Sequence, residues 1–307
     1  MNDILRAEGL SKKFNGIQAV SNVSFKVDQE EVFGFLGPNG AGKTTTVRMM
    51  TGVLEPDSGT AWINGKDIQK KPIKAKEEVG IAPEISNAYV DLTAWQNMML
   101  MGELFGVPKE KRKKRAKQLL ELFQLSDRKN TKVKGFSKGM QKRLILSMAM
   151  IKDPPILFFD EPTTGLDVQS RRLIKKRIRD LNKKGKAIFL TTHDMEVAND
   201  LCDRIAVIHN GKIVAIDTPE KLKEKIKEKR ALEICFEERN PPIELENIEK
   251  VEKVEKRGDK CRIFTSDPIT VLNHCLALAD EKELEIVSIC TLGPSLEDVF
   301  IDLTGGK

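Results

Sequence analysis

The sequence predicts an α/β protein: a parallel-sheet core with an antiparallel β patch at its N-terminus, followed by a small α+β domain. Three observations lead there. Short apolar runs at 32–36, 156–160 and 187–191 have the length of buried strands, and helical patterns separate them, as a parallel sheet requires. Residues 37–44 spell G-x-x-x-x-G-K-T between the first of these strands and a helical pattern beginning at Lys43. After Pro219 the composition shifts to a charged stretch, 221–230, and then to short strands alternating with helices.

Taken in order, residues 4–8, 23–27 and 61–63 read as short strands, with turns at Asn15-Gly16 and Asn64-Gly65. The buried strand 32–36 leads into the glycine-rich loop and a helix starting over 43–50. From about 93 to 151 the pattern is helical and forms a subdomain. Strands at 156–160 and 187–191 follow, with a charged helix (169–183) between them. A strand at 204–209 turns at Asn210-Gly211 into another at 212–216. The first domain is expected to cover 1–222. In the second, 223–307, strands are expected at 231–236, 261–265 and 284–290, and helices at 269–279 and 295–303.

With 307 residues the chain can bury a full core and hold two domains. The longest uncharged apolar run, 144–151, falls well short of the ~20 residues that span a bilayer, and the first residues lack a secretory pattern. Five cysteines, odd in number and without a C-x-x-C pair, point to buried reduced thiols rather than disulfides or zinc. A cytoplasmic protein is expected. The net charge of +6 is modest. Its densest basic cluster, 109–117, leads into an apolar helical face and reads as a solvated helix surface. No aromatics interleave with those charges, which argues against nucleic acid as a partner.

The chemistry is carried by a few positions. Gly37, Gly40 and Gly42 allow the backbone of Gly37-Pro38-Asn39-Gly40-Ala41-Gly42 to turn its N–H groups toward one point at a helix N-terminus, where an anion is favoured. Lys43 is expected to reach the β- and γ-phosphates of a nucleotide, and the Thr44 hydroxyl to meet Mg²⁺, with Thr45 closing the loop. Asp160 and Glu161 end an apolar strand. The first can hold Mg²⁺, and the second, pointing elsewhere, can orient or deprotonate a water. Ser137 reads as the N-cap of a long helix, and Gly139 as permitting close approach of a ligand at that helix end. His209 and His274 read as structural. Met98, Met99 and Met101 read as core, with a groove for a membrane-subunit helix as the alternative.

Together these motifs resemble the ATP-binding subunits of ABC transporters, continuously over about 4–220. Ser137-Lys138-Gly139-Met140-Gln141 is similar to that family's signature, with Lys138 and Met140 departing from it. Thr164-Gly165-Leu166-Asp167 resembles its dimer-contacting loop, and His193 its switch histidine. Glu84 stands where the family carries a lid glutamine; a carboxylate there can ligate Mg²⁺ or accept a hydrogen bond but cannot donate one. Phe14 occupies the place of the ring stacked on adenine. The tail 295–305 resembles the end of export-type subunits associated with drugs, antibiotics and ions.

The resemblance implies an ATPase of P-loop ABC type with ATP and Mg²⁺ as ligands. Lys43, Glu161 and His193 would be catalytic, and Thr44 and Asp160 would hold the metal. The signature of one protomer, with Asp167, would complete its partner's site in a homodimer or a heterodimer with a similar ATPase. A separate membrane-spanning subunit is implied, with this chain peripheral on the cytoplasmic face of the membrane and export the expected direction. The alternatives are a non-transport relative acting on nucleic acid or ribosomes, which the single nucleotide domain disfavours, and a P-loop kinase, in which the signature, Glu161 and His193 would have no purpose.

Overall fold

The computed structural model describes residues 3–85, 88–226, 231–237 and 245–305. Its elements run β1 (Asp3–Phe14), β2 (Ile17–Asp28), β3 (Val32–Leu36), α1 (Lys43–Met50), β4 (Ser58–Ile63), β5 (Lys66–Asp67), α2 (Pro72–Glu77), β6 (Val79–Ala82), α3 (Ala94–Leu104), α4 (Lys109–Leu122), α5 (Lys138–Ala149), β7 (Ile156–Asp160), α6 (Val168–Asn182), β8 (Ala187–Thr192), α7 (Met195–Leu201), β9 (Arg204–His209), β10 (Lys212–Asp217), α8 (Pro219–Glu224), β11 (Ala231–Phe236), β12 (Val251–Arg257), β13 (Lys260–Thr265), α9 (Pro268–Glu281), β14 (Ile286–Leu292) and α10 (Leu296–Thr304). The chain divides into two units, Met1–Pro219 and Glu220–Lys307.

In the first unit the central sheet has the order β10-β9-β3-β8-β7-β6. Its neighbours are parallel except for β9 and β10, which the Asn210-Gly211 turn joins as a hairpin. Strands β3, β7 and β8 are buried along their whole length, so both faces must be covered, as their unbroken apolar character demands. Helix α6 returns the chain from β7 to β8, and α7 from β8 to β9, as crossovers between parallel strands. The N-terminal antiparallel patch forms a second sheet, β2-β1-β4-β5. At Asn15-Gly16, Asn64-Gly65 and Asn210-Gly211 both residues have positive φ, the geometry of tight hairpin turns.

The two sheets meet through phenylalanines. Phe25 of β2 stacks on Phe33 of β3 with centroids 5.3 Å apart and on Phe189 of β8 at 5.7 Å. Phe158 of β7 lies 5.2 Å from Phe189, and Phe35 lies 5.6 Å from it. The cluster anchors the middle of the parallel sheet and leaves the ends of its strands free for loops.

Helices α3, α4 and α5 occupy the stretch read as a helical subdomain. Thr93 caps α3 in a full capping box with Gln96. Met98 is fully buried, and Met99 and Met101 are half-buried. On α4, Arg112 and Ala116 face inward while most of the basic residues are exposed.

In the second unit an antiparallel sheet, β12-β13-β11-β14, packs Leu232, Ile234 and Ile263 against Val271 and Cys275 of α9. Strands β5, β6 and β12 and helices α2 and α7 escape the sequence reading. Strand β12, Val-Glu-Lys-Val-Glu-Lys-Arg, is charged because it is an edge strand. Of the charged stretch 221–230, α8 takes in the first part, and 227–230 lie outside the described residues. All five cysteines are free, and four are buried as expected; Cys290 is exposed because it lies on the edge strand β14.

Phe189 is fully buried at the centre of the aromatic cluster. Phe189→Ala should cost about 3–5 kcal/mol in urea unfolding of the first unit's transition. A loss below about 1 kcal/mol would show that the rings are not what joins the two sheets.

Candidate functional site

The parallel register brings the site together. Leu36 pairs with Thr192, and Asp160 with Thr191, so the loops after β3, β7 and β8 leave the sheet along one edge, where ligands of α/β sheets are held. The glycine-rich loop fills the step from β3 to α1. Its turn into α1 needs Gly42, whose φ of 103° is strained for any side chain and where an added Cβ would press on the Ala19 carbonyl. Thr46 Oγ1 donates to the Gly42 carbonyl at 2.8 Å and closes the first helical turn.

Lys43 is 6% exposed, and its ammonium is held at the inner side of the loop. It donates to the Gly37 carbonyl at 2.7 Å and the Pro38 carbonyl at 3.2 Å, and it lies 3.3 Å from Glu161 Oε1. The Thr44 hydroxyl donates to Asp160 Oδ2 at 3.2 Å. Asp160 also accepts a short hydrogen bond from Thr191 Oγ1. A hydroxyl and a carboxylate oxygen side by side form a donor set suited to a hard divalent cation such as Mg²⁺.

Glu161 turns away from the strand direction. Its φ is 48°, unusual for a residue with a side chain, and its N–H donates to Thr191 Oγ1 at 3.1 Å. The turned backbone sends the carboxylate into the loop cluster, where it is 4% exposed. There Oε1 lies 3.0 Å from His193 Nδ1, and Oε2 accepts from Thr164 Oγ1 at 2.8 Å. The carboxylate is fixed from both sides, with a cation and an imidazole at one oxygen, a setting in which a carboxylate can accept a proton.

A cavity of 310 Å³ is lined by Ala19, the loop residues Pro38, Asn39, Gly40 and Gly42, and Lys43, Thr44, Thr45, Glu84 and Glu161. Phe14 does not line it; the ring ends β1 with 45% of its surface exposed. The stretch Ser137-Lys138-Gly139-Met140-Gln141 and Asp167 are not part of the lining either. Ser137 is the N-cap of α5, accepting from the Met140 N–H at 3.2 Å, and both Ser137 and Lys138 are exposed. Asp167 caps α6, accepting from the N–H and the hydroxyl of Ser170, and these bonds hold its carboxyl below the usual range. At Gly139 an added Cβ would overlap Ser170 Oγ. A side chain there would have to displace the Ser170 hydroxyl from its bond to Asp167.

Two buried polar residues escape the sequence reading. Thr191 is fully buried and serves both Asp160 and the Glu161 amide; its sign is a hydroxyl inside an apolar strand. Lys142 is 7% exposed and donates to the carbonyls of Pro83, Glu84 and Asp160. Burial pushes its ammonium down to about 8, and the carboxylates of Asp160, Glu84 and Glu161 pull it part of the way back. Its sign is a lysine three residues before Ile145 on the buried stripe of α5.

The chain matches known proteins along its whole length. Residues 20–164 match the family model for the ABC transporter, and residues 218–304 match that for the C-terminal domain of DrrA1-3-like ATP-binding proteins. A Nod factor export ATP-binding protein I from Ralstonia nicotianae is 37% identical over 98% of this chain and 94% of its own. The linearmycin resistance ATP-binding protein LnrL of Bacillus subtilis is 34% identical over 98% of both chains. Among solved structures, a dimeric ATP-binding cassette in a post-hydrolysis state with ADP and Pi superposes with a TM-score of 0.64 and 26% identity, over 70% of this chain and 98% of that one.

Removing the ammonium should cripple nucleotide binding. Lys43→Ala is expected to weaken Mg-ATP about 10- to 100-fold by calorimetry, the loss of a charge-assisted contact; unchanged affinity would move the phosphate site away from this loop.

Proposed function

Because this chain belongs to the ATP-binding subunits of ABC transporters of the export type, we propose that it hydrolyses ATP as a dimer and drives a separate membrane-spanning subunit. The observation that carries the hydrolytic reading is the Glu161 carboxylate, buried between Lys43 at 3.3 Å and His193 at 3.0 Å and lining the cavity beside the glycine-rich loop.

The phosphates of ATP lie over residues 37–45, where loop amides and the N-terminus of α1 favour negative charge. Lys43 then faces a choice between Glu161 and the phosphates. The phosphates carry the greater charge and draw the ammonium, which leaves Glu161 Oε1 free to accept a proton from the attacking water. Substrate binding thus arms the base. His193 contacts the same carboxylate through Nδ1, which supports a role in keeping Glu161 aimed and in sensing the γ-phosphate. Thr44 and Asp160 would hold Mg²⁺, which when bound neutralises charge on the phosphates.

The dimer reading is supported by what lies outside the cavity. Ser137, Lys138 and Asp167 lie on exposed surface outside it, free to meet a second molecule. In the head-to-tail arrangement, Ser137 and Gly139 of one protomer cover the γ-phosphate of the other, so nucleotide holds the dimer together. Among the described residues no helix is long and apolar enough to cross a membrane, in keeping with a motor that works from the cytoplasmic face on a partner that does. Export is supported by the relatives' names, which tie them to Nod factor export and linearmycin resistance.

Glu161→Gln should bind ATP, hydrolyse it on the order of 100-fold or more slowly, and accumulate as a dimer with Mg-ATP by light scattering. A variant that stays monomeric at saturating Mg-ATP refutes the sandwich, and one that hydrolyses at the native rate refutes the base.

A further inference from the structure

The lysine behind the site is not explained by nucleotide binding. Lys142 sits in the second turn of α5, five residues beyond Ser137, and does not line the cavity. Its Nζ lies 3.2 Å from the Pro83 carbonyl, 3.3 Å from that of Glu84 and 3.1 Å from that of Asp160. An ammonium has three protons, and here there are three acceptors. They come from separate pieces of the fold: the loop after β6, which carries Glu84, and the end of β7, which carries Asp160 and leads to Glu161.

Packing alone does not call for a cation. Ile145 and Ala149, next on the same stripe, are buried and apolar, and a leucine or methionine would occupy the position at lower desolvation cost. Electrostatics does call for one. Beside those three carbonyls, the charges of Asp160, Glu84 and Glu161 attract the ammonium and offset part of the cost of burying it. Asp160 and Glu161 have further donors in Thr44, Thr191, Thr164 and Lys43. Glu84 is exposed at the cavity rim, on the loop that Lys142 grips by two carbonyls.

We propose that Lys142 is a positioning residue that pins the Glu84 loop to the Asp160–Glu161 end of β7 by countering the negative charge that Glu84 brings there. The loop and the strand end in turn are tied to α5, whose N-cap Ser137 is exposed. This rests on the hydrolytic reading of Glu161 above.

The test is a cycle on the full chain: Lys142→Met and Lys142→Gln, each in the Glu84 and the Glu84→Gln background, with Lys142→Arg as the conservative variant. Steady-state ATPase gives kcat and KM, and hydrogen exchange of the peptide covering 79–85 reports the loop in nucleotide-free protein. Loss of the charge should lower kcat about 10- to 100-fold while KM moves less than about 3-fold, and loop exchange should rise. Arginine should restore most of kcat. In the Glu84→Gln background the loss of kcat and the rise in exchange should both shrink at least about 5-fold. Equal losses in the two backgrounds, or a glutamine variant as active as the native chain, overturn the proposal. Glutamine keeps hydrogen-bonding capacity without charge, so the test stands even where methionine does not fold. An additive cycle beside an inactive Glu161→Gln sinks this inference alone; an active Glu161→Gln sinks the reading beneath it.

Discussion

The pairing of Asp160 on β7 with Thr191 on β8 is the constraint on which the site depends. The Thr191 hydroxyl serves the Asp160 carboxylate, and it also receives the Glu161 amide at 3.1 Å. One buried threonine therefore sets two neighbouring acids on different courses. Asp160 is turned toward Thr44, and Glu161 toward Lys43 and His193. A slip of that pairing by one residue would reverse the facing of the side chains of β7, bury the wrong ones and leave the acids without these partners. The aromatic cluster beneath, centred on Phe189 two residues before Thr191, is what makes such a slip costly.

Electrostatics at the site is arranged around few cations and several carboxylates. Lys43 approaches from the loop and Lys142 from α5, and Glu161 lies within the influence of both. Each lysine is buried and spends its protons on backbone carbonyls as well as on charge. Unpaired charges this deep would be expensive, so each change in partner has to be exchanged for another. Under the proposed function, that exchange is what couples nucleotide binding to Glu161 and to the helix carrying Ser137.

The second unit has a core of its own, built from β11, β13 and α9. The match of residues 218–304 to the C-terminal domain of DrrA1-3-like ATP-binding proteins begins close to the division between the units. The outward residues of its sheet form ion pairs, with Glu233 meeting Lys260 and Arg262.

The phosphate loop, the acidic strand end and the capped helix at Ser137 could be read directly from the sequence because each is local. A glycine turn, a hydrophobic run ending in acids and an N-cap are written in consecutive residues, and so were the fold class, most strands and the three Asn-Gly turns. Strand β12 was not legible, since an edge strand needs no apolar face. Other facts depend on residues far apart in the chain. Thr191 acts on a residue 31 positions away, and Lys142 grips carbonyls 58 and 59 positions away. A side chain at Gly139 would press on Ser170, which only packing brings against it. The sequence by itself determined which chemical groups the protein has and the local turns that present them. Their partners were decided by the tertiary structure, because strand register and helix packing alone bring such distant residues within bonding distance.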